Sequence, residues 1–510
     1  MNEVELNALT FLKNKDYQKA ANLYLKLALE NPNEEKYFIT AANCNDSLGD
    51  KKKALSLYKK ALSINPNSTT TLLNLSTIYY ELKNFEKSIY YANKVLEDNP
   101  NNFSAILNLG NALYADKEYE DALACYEKLY ELNPKSYNAV ANIANTSYNL
   151  NQQLKALDYA KLAIDMRPNS VEPYIIAGNA YVELLQNDEA AQLLKKAANI
   201  APNSQWVLNS ISNLFTKMGN YKQAINYAWK TFFTKSFQVT PNEHINFGYL
   251  LYEAYDEGHQ ELVEKYVTLW QTHFEDNPIV IHICSALKGS EDISTTTLDY
   301  VKHLFDNFAS SFDYILNELE YCVPEIISEL VKNNLKTKLF KKLKFLDLGC
   351  GTGLCSEALK PYFPNEDFFG VDISEKMLNI AGKKEIYKEL YQDDIINFLA
   401  ENETKYHTIL AGDVITYMGD LKPLIYSLNQ AIEINGYFCF SISTNIYNKK
   451  DFHLTPSGRF AHTPSYVLRL LKHCGFQVIE IREEVLRKEG TKDVPGNIIL
   501  AKKELEIVFE

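Results

Sequence analysis

Residues 346–353 read LDLGCGTG: the apolar run KKLKFLDL ends in three glycines at alternate positions, and LCSEALKPYF behind them opens a helical pattern. An apolar strand, a tight glycine turn and a helix make the start of an α/β unit. The glycines, Gly349, Gly351 and Gly353, are spaced G-x-G-x-G. A dinucleotide fingerprint needs its third glycine at position 354, which is Leu354, and no G-K-[ST] follows to form a phosphate loop. Spacing therefore rules out both of these common ligands.

Downstream, further landmarks follow at α/β distances. FFGVDIS ends a second apolar strand in Asp372, 19 residues after Gly353. A carboxylate there suits the two hydroxyls of a ribose. Met377 stands five residues on, YQDDIINFL carries Asp393 and Asp394 at a third strand end, and YHTILAGDVITYMGDL places Asp413 and Val414 after a fourth. Each acid alone reads as a loop-end cap, but four landmarks in order read as one site.

Upstream the chain is periodic. Pro32, Pro66, Pro100, Pro134, Pro168 and Pro202 are each 34 residues apart, and Asn31, Asn65, Asn99 and Asn133 precede the first four. Small residues recur in the same frame at Ala8, Ala42, Ser76, Gly110, Ala144, Gly178 and Ser212, and again at Ala20, Ala54, Ser88, Ala122, Ala156, Ala190 and Ala224. Each unit reads as two amphipathic helices in close approach, with proline stopping the second. Asn43, Asn111, Asn145, Asn179 and Asn213 share one position of the first helix, and Asn74, Asn108 and Asn142 lie three residues earlier on the same face. Carboxamides in rows offer both donors and acceptors to an extended peptide backbone.

The period and the small residues, as in ILNLGNALYADKEYEDALACYEKLYELNPK from Ile106 to Lys135, resemble the tetratricopeptide repeat. The asparagine rows are similar to the ladder that holds protein substrates in the repeat superhelix of O-linked N-acetylglucosamine transferases. DLGCGTG with its companions resembles motif I of the class I S-adenosylmethionine-dependent methyltransferases. FDNFASSFD from Phe305, YCVP from Tyr321, DVITYMGDL and the tail from PSGRFAHTPSY onward resemble a bacterial family of predicted methyltransferases that carry tetratricopeptide repeats. The resemblance implies an all-α repeat superhelix followed by an α/β Rossmann-like methyltransferase domain. Expected boundaries are 1–240 for about seven repeats, 241–285 for an irregular capping repeat, 286–335 for a helical junction and 336–510 for the enzyme.

The implied cofactor is S-adenosyl-L-methionine, with Asp347 and the three glycines under its amino-acid part and Asp372 on the ribose. Met377 is expected on the adenine, Asp394, or Asp393 beside it, on the adenine amino group, and Asp413 and Val414 facing cofactor and substrate. Arg459 and His462, with Tyr466 behind them, are the candidate catalytic residues in SGRFAHTPSY: the arginine for a carboxylate, the histidine for a proton. Position 413 opens D-V-I-T, not the [D/N/S]-P-P-[Y/F/W] of base amino methylation.

Composition agrees with this reading. In 510 residues, 46% hydrophobic and 23% charged, a net charge of -13 disfavours a nucleic-acid-gripping surface. Eight scattered cysteines form no C-x-x-C pair or metal-ligand grouping, and no basic stretch with an apolar run opens the chain. A cytoplasmic protein with no metal, no membrane segment and no nucleic-acid partner is expected. Three functions fit: methylation of a polypeptide side chain captured by the repeats, O-methylation of a small or carrier-linked acceptor with the repeats recruiting a partner, or a scaffold with a degenerate cofactor domain.

Overall fold

Proline falls just beyond the second helix of each pair, as at Tyr17–Glu30 before Pro32 and Lys51–Ile64 before Pro66. There the capping Asn31 or Asn65 still donates its N–H to the carbonyl four residues back. The computed structural model describes residues 3–234, 239–290, 293–335, 342–444, 450–489 and 492–507. Its chain divides into two compact units, residues 1–237 and 238–510.

The first unit is a stack of helix pairs. First helices such as Glu35–Ser47, Phe103–Ala115 and Val171–Glu183 alternate with second helices such as Tyr119–Leu132 and Asn187–Ile200. The small residues allow the pairing: a Cβ on Gly178 would lie 2.7 Å from Leu194, and one on Gly110 would lie 2.8 Å from Tyr126. Ser88 donates from Oγ to the carbonyl of Ser76 at 2.8 Å, so that exchange of alanine for serine leaves no buried polar group unmet. Each turn within a pair passes through one left-handed residue, at Lys15, Gly49, Lys83, Lys117, Asn151, Leu185 and Gly219, again 34 apart.

The second unit opens with helices Pro241–Asp256, Gln260–His273 and Pro278–Lys288. These were expected as a cap on the array and a junction; packing places them in the same compact unit as the α/β domain. Helices Leu298–Phe308, Phe312–Glu318 and Val323–Asn334 follow. The first of them starts behind Thr297, its N-cap.

The sheet contains β1 (Lys344–Leu348), β2 (Asp367–Asp372), β3 (Glu389–Gln392), β4 (Tyr406–Ala411), β5 (Ile432–Ser443), β8 (Phe476–Glu489) and β9 (Lys492–Lys503), in the order β3-β2-β1-β4-β5-β9-β8. β6 (Phe452–Leu454) and β7 (Phe460–His462) form a separate hairpin. β1 to β5 pair in parallel, while β9 runs antiparallel to β5 and β8. Strand order reverses between β1 and β4, and the carboxyl ends of strands at such a switch point form a ligand crevice. Apolar layers cover both sheet faces, one around Leu346, Ile409 and Phe438, the other around Phe345, Phe368 and Leu500.

Candidate active site

A cavity of about 900 Å³ lies at that switch point, lined by residues of the second unit alone. This is near the upper end of the roughly 300–1,000 Å³ usual for ligand sites, room for a cofactor and a second small group. The ends of β1, β2 and β4 form its floor, and Leu304, Phe305, Phe308, Phe312 and Leu316 line it from the helices before the sheet.

The glycine loop is shaped by three left-handed residues, with φ of 58° at Gly349, 54° at Gly351 and 94° at Gly353. Their surroundings differ. A Cβ on Gly349 would lie 2.6 Å from Val414, and on Gly353 it would lie 3.1 Å from Tyr387, whereas on Gly351 only Phe312 comes within 4 Å, at 3.7 Å. Two glycines thus let protein pack on the loop, and Gly351 leaves a cradle that a side chain would fill.

Asp347 on β1 is buried below the loop, where its Oδ2 accepts from Ser356 Oγ at 2.7 Å and Tyr387 OH at 2.8 Å. Burial pushes its carboxyl up to about 6. Asp372 ends β2; its Oδ2 accepts from the Gly351 N–H and its Oδ1 from the Ser374 N–H, both at 2.8 Å. Burial pushes this acid, too, up to about 6, against those backbone donors. Both line the cavity, as do Asp393, Asp394 and Val414. Asp394 caps helix Ile395–Glu401, accepting at Oδ1 from the N–H groups of Ile396 and Asn397.

Met377 is a correction: it is fully buried and does not line the cavity, where Ile373 and Ile395 do. The helix behind Ser374 turns Met377 into the core. His462 and Tyr466 are corrected likewise. His462 is fully buried with Nε2 3.0 Å from the carbonyl of Gly419, and burial holds its ring at about 4, below the usual range. Tyr466 OH donates to Asp420 Oδ1 and accepts from the Leu421 N–H, each at 3.0 Å. Neither lines the cavity: strand β7 and the helix start after it turn both side chains into the packing between β7 and the loop at 417–421. Arg459 does line it, with Nε 3.4 Å from Tyr417 OH.

Asp413 follows β4 with a left-handed φ of 57° and pairs with Arg487 of β8. Arg487, Tyr387, Tyr417, Thr352 and Ser374, with Asp306 and Asp313, escaped the sequence reading as site residues; Asp306 and Asp313 stand in the quoted FDNFASSFD, where only the resemblance marked them.

In the first unit the asparagine rows bond to each other across repeats. Asn43 Oδ1 accepts from Tyr58 OH at 2.5 Å and Asn74 Nδ2 at 3.3 Å; Asn111 Oδ1 accepts from Tyr126 OH at 2.9 Å and Asn142 Nδ2 at 3.5 Å. Asn108 Nδ2 reaches Leu73 O and Thr77 Oγ1. Asn145 sits beside Tyr114, while Asn179 and Asn213 are half-buried on the next first helices. Among the described residues there is no acid, histidine and cysteine grouping suited to a metal, and no helix is long and apolar enough to cross a membrane.

Repeat pairs in one unit and, in the other, a glycine loop with acids at successive strand ends define a tetratricopeptide-repeat protein with a methyltransferase domain. Comparison agrees. A family described as a methyltransferase domain matches residues 346–438, and tetratricopeptide repeat families match 47–112 and 103–136. The malonyl-[acyl-carrier protein] O-methyltransferase of Bacillus anthracis is 27% identical over 139 residues, covering 27% of this chain and 50% of that one. The release factor glutamine methyltransferase of Flavobacterium psychrophilum is 36% identical over 66 residues, 13% of this chain and 23% of that one. A solved tetratricopeptide repeat protein from Parabacteroides merdae aligns with a TM-score of 0.40 at 19% identity, covering 46% of this chain and 92% of that one. The chain spans about half the length of the malonyl-carrier methyltransferase it matches in Bacillus anthracis.

Proposed function

We propose that this protein transfers a methyl group from S-adenosylmethionine to a small or carrier-linked acceptor, and that its repeats bind the protein that delivers or uses that acceptor. The observation that carries this reading is the single cavity joining the glycine loop and Asp372 to Tyr417 and Arg459. Its aromatic and apolar wall suits a slender group entering a chamber better than a broad macromolecular surface.

When bound, the cofactor supplies a methyl group on a positively charged sulfur. Gly351 would give it backbone room, Asp372 would accept its ribose hydroxyls with the lone pairs that Gly351 and Ser374 do not use, and Asp393 or Asp394 would meet the adenine edge. Acids at Asp347, Asp372, Asp393 and Asp394 give this end of the cavity a negative character suited to a cation. Arg459, beside Tyr417, puts a cation in the wall, while Arg487 is matched there by Asp413. None of the lining residues, among those described, is a histidine. An acceptor oxygen already ionised at neutral pH, such as a carboxylate, needs no base, and orientation by the walls then does the protein's share. The matched malonyl-carrier methyltransferases support an acyl acceptor of this kind.

A polypeptide side chain is the second reading, favoured by the asparagine rows and by the release factor methyltransferase among the relatives. Asn43 and Asn111 have their oxygens engaged within the array, so a partner would meet their Nδ2 donors.

The two are separated by methyl-labelled S-adenosylmethionine. Full-length protein is incubated with malonyl-loaded acyl carrier protein and, separately, with cell lysate, using Gly351→Arg as the blocked control. Label on the malonyl-loaded carrier that mild base releases as methanol identifies a carboxyl ester of the carried acyl group, as proposed, whereas methanol released only from lysate protein places the ester on a polypeptide side chain. Label that stays on a protein band through base identifies a base-stable side-chain methyl group and replaces the first reading.

A further inference from the structure

Two carboxylates outside the sheet reach the two loops that shape the cofactor end. Asp306, on helix Leu298–Phe308, accepts at Oδ1 from Ser374 Oγ at 2.6 Å. Asp313, on helix Phe312–Glu318, accepts at Oδ1 from Thr352 Oγ1 at 2.5 Å and at Oδ2 from Lys384 Nζ at 3.2 Å. Thr352 stands inside the glycine loop and Ser374 two residues after Asp372, and both are buried.

These contacts close a circuit. Asp372 takes the Gly351 N–H on one oxygen and the Ser374 N–H on the other, so it already ties the two loops together. Asp313 holds the first loop one residue from Gly351, and Asp306 holds the second at Ser374 itself. Between them Phe305 and Phe312 meet edge to face at 6.0 Å, and Phe312 is the side chain beside the Gly351 cradle. Apolar contact alone would dock these helices; a carboxylate on a buried hydroxyl of each loop adds direction, because hydrogen bonds to charged acceptors are short and angularly demanding.

We infer that Asp306 and Asp313 are positioning residues of the methyl-donor site, holding the loops at Gly351 and Asp372 in the shape that retains the donor and thereby slowing its release. The inference rests on the proposed cofactor. Neither acid needs to touch the donor, since each acts through a hydroxyl and the backbone beside it.

The test uses the full-length chain with S-adenosylmethionine as the probe, in Asp306→Ala, Asp313→Ala and the corresponding asparagine variants. Loss of one charge-assisted bond should release the donor about tenfold faster in each alanine variant, with association changed less than about twofold. Asparagine keeps an oxygen acceptor for the hydroxyl and should restore release to within about threefold of the parent. Hydrogen exchange without ligand supplies the second readout: the amides of Gly351 and Ser374 should exchange about tenfold faster in the alanine variants and at the parental rate in the asparagine ones. Parental release and parental protection in both alanine variants would overturn the inference, as would asparagine variants as impaired as alanine. If the parent fails to bind S-adenosylmethionine, the proposed function fails, and the exchange measurement still decides whether the two acids hold the loops.

Discussion

Arg487 places Nη1 3.0 Å from Oδ1 and 2.8 Å from Oδ2 of Asp413, so a buried guanidinium from β8 holds the loop that leaves β4. Asp413 is left-handed there, a conformation costing roughly 1–2 kcal/mol in an L residue. The pair keeps Val414 against Gly349. Arg487→Leu leaves the Asp413 charge without this partner and should destabilise the second unit by about 3 kcal/mol. Urea denaturation followed by far-ultraviolet circular dichroism measures this, and Asp413→Asn in the same background should recover part of the loss; an Arg487→Leu protein as stable as the parent would remove the pair from the account.

Asp347 and Asp372 make stability depend on pH in an unusual direction for carboxylates. Their folded values, about 6, lie above the ordinary 3.8, so between about pH 4 and 6 the folded chain binds more protons than the unfolded one. Their contribution therefore favours folding as pH falls through 6 toward 4 and is lost as pH rises through 6. Asp347→Asn, which cannot ionise, should flatten that part of the profile and raise stability more at pH 7 than at pH 4.5. Melting temperatures of parent and variant across this range check it; parallel profiles would show that Asp347 is not held up by burial.

Two glycines of one loop, Gly349 and Gly351, should respond differently to the same change. Gly349→Ala combines a left-handed residue with a Cβ 2.6 Å from Val414 and should cost about 2–4 kcal/mol of stability. Gly351→Ala carries the conformational part alone, about 1–2 kcal/mol. Its Cβ occupies the cradle, so its larger effect should be on S-adenosylmethionine binding in titration calorimetry. Equal melting losses for both would contradict the packing described.

Asp372→Ala removes the acceptor proposed for the ribose and unties Gly351 from Ser374. Donor affinity should fall by about 1.5–3 kcal/mol, the range for hydrogen bonds to a charged group. Calorimetry with S-adenosylhomocysteine gives the number without turnover, and unchanged affinity would move the ribose away from this strand end.

In the repeat array, Gly178→Ala should destabilise despite the better helix propensity of alanine, because its Cβ would enter Leu194 at 2.7 Å. Adding Leu194→Ala vacates that space, so the double variant should lose less than the sum of the two single changes. Additive losses in chemical denaturation would mean the helices shift apart instead.

The sequence by itself determined what local rules control. A proline every 34 residues and small residues in the same frame dictated helix pairs, since proline ends a helix and a missing side chain admits its neighbour. Gly349, Gly351 and Gly353 dictated the loop, and the apolar run ending in Asp372 dictated a second strand end beside it. The left-handed turns at Lys83, Lys117 and Leu185 gave no such signal, because lysine and leucine do not favour that conformation and are forced into it by the packing of the two helices.

Tertiary structure alone decided which side chains face the cavity. His462 looks like a loop histidine in sequence, but β7 pairs it with Phe452 and turns it into the core. Arg487 lies 74 residues from Asp413, Asp306 lies 68 from Ser374 and Asp313 lies 39 from Thr352. No periodicity connects positions so far apart. They meet because the C-terminal hairpin completes the sheet beside β5 and the helices before β1 pack over its carboxyl ends, and a hydrogen bond of about 3 Å exists only once that packing is complete.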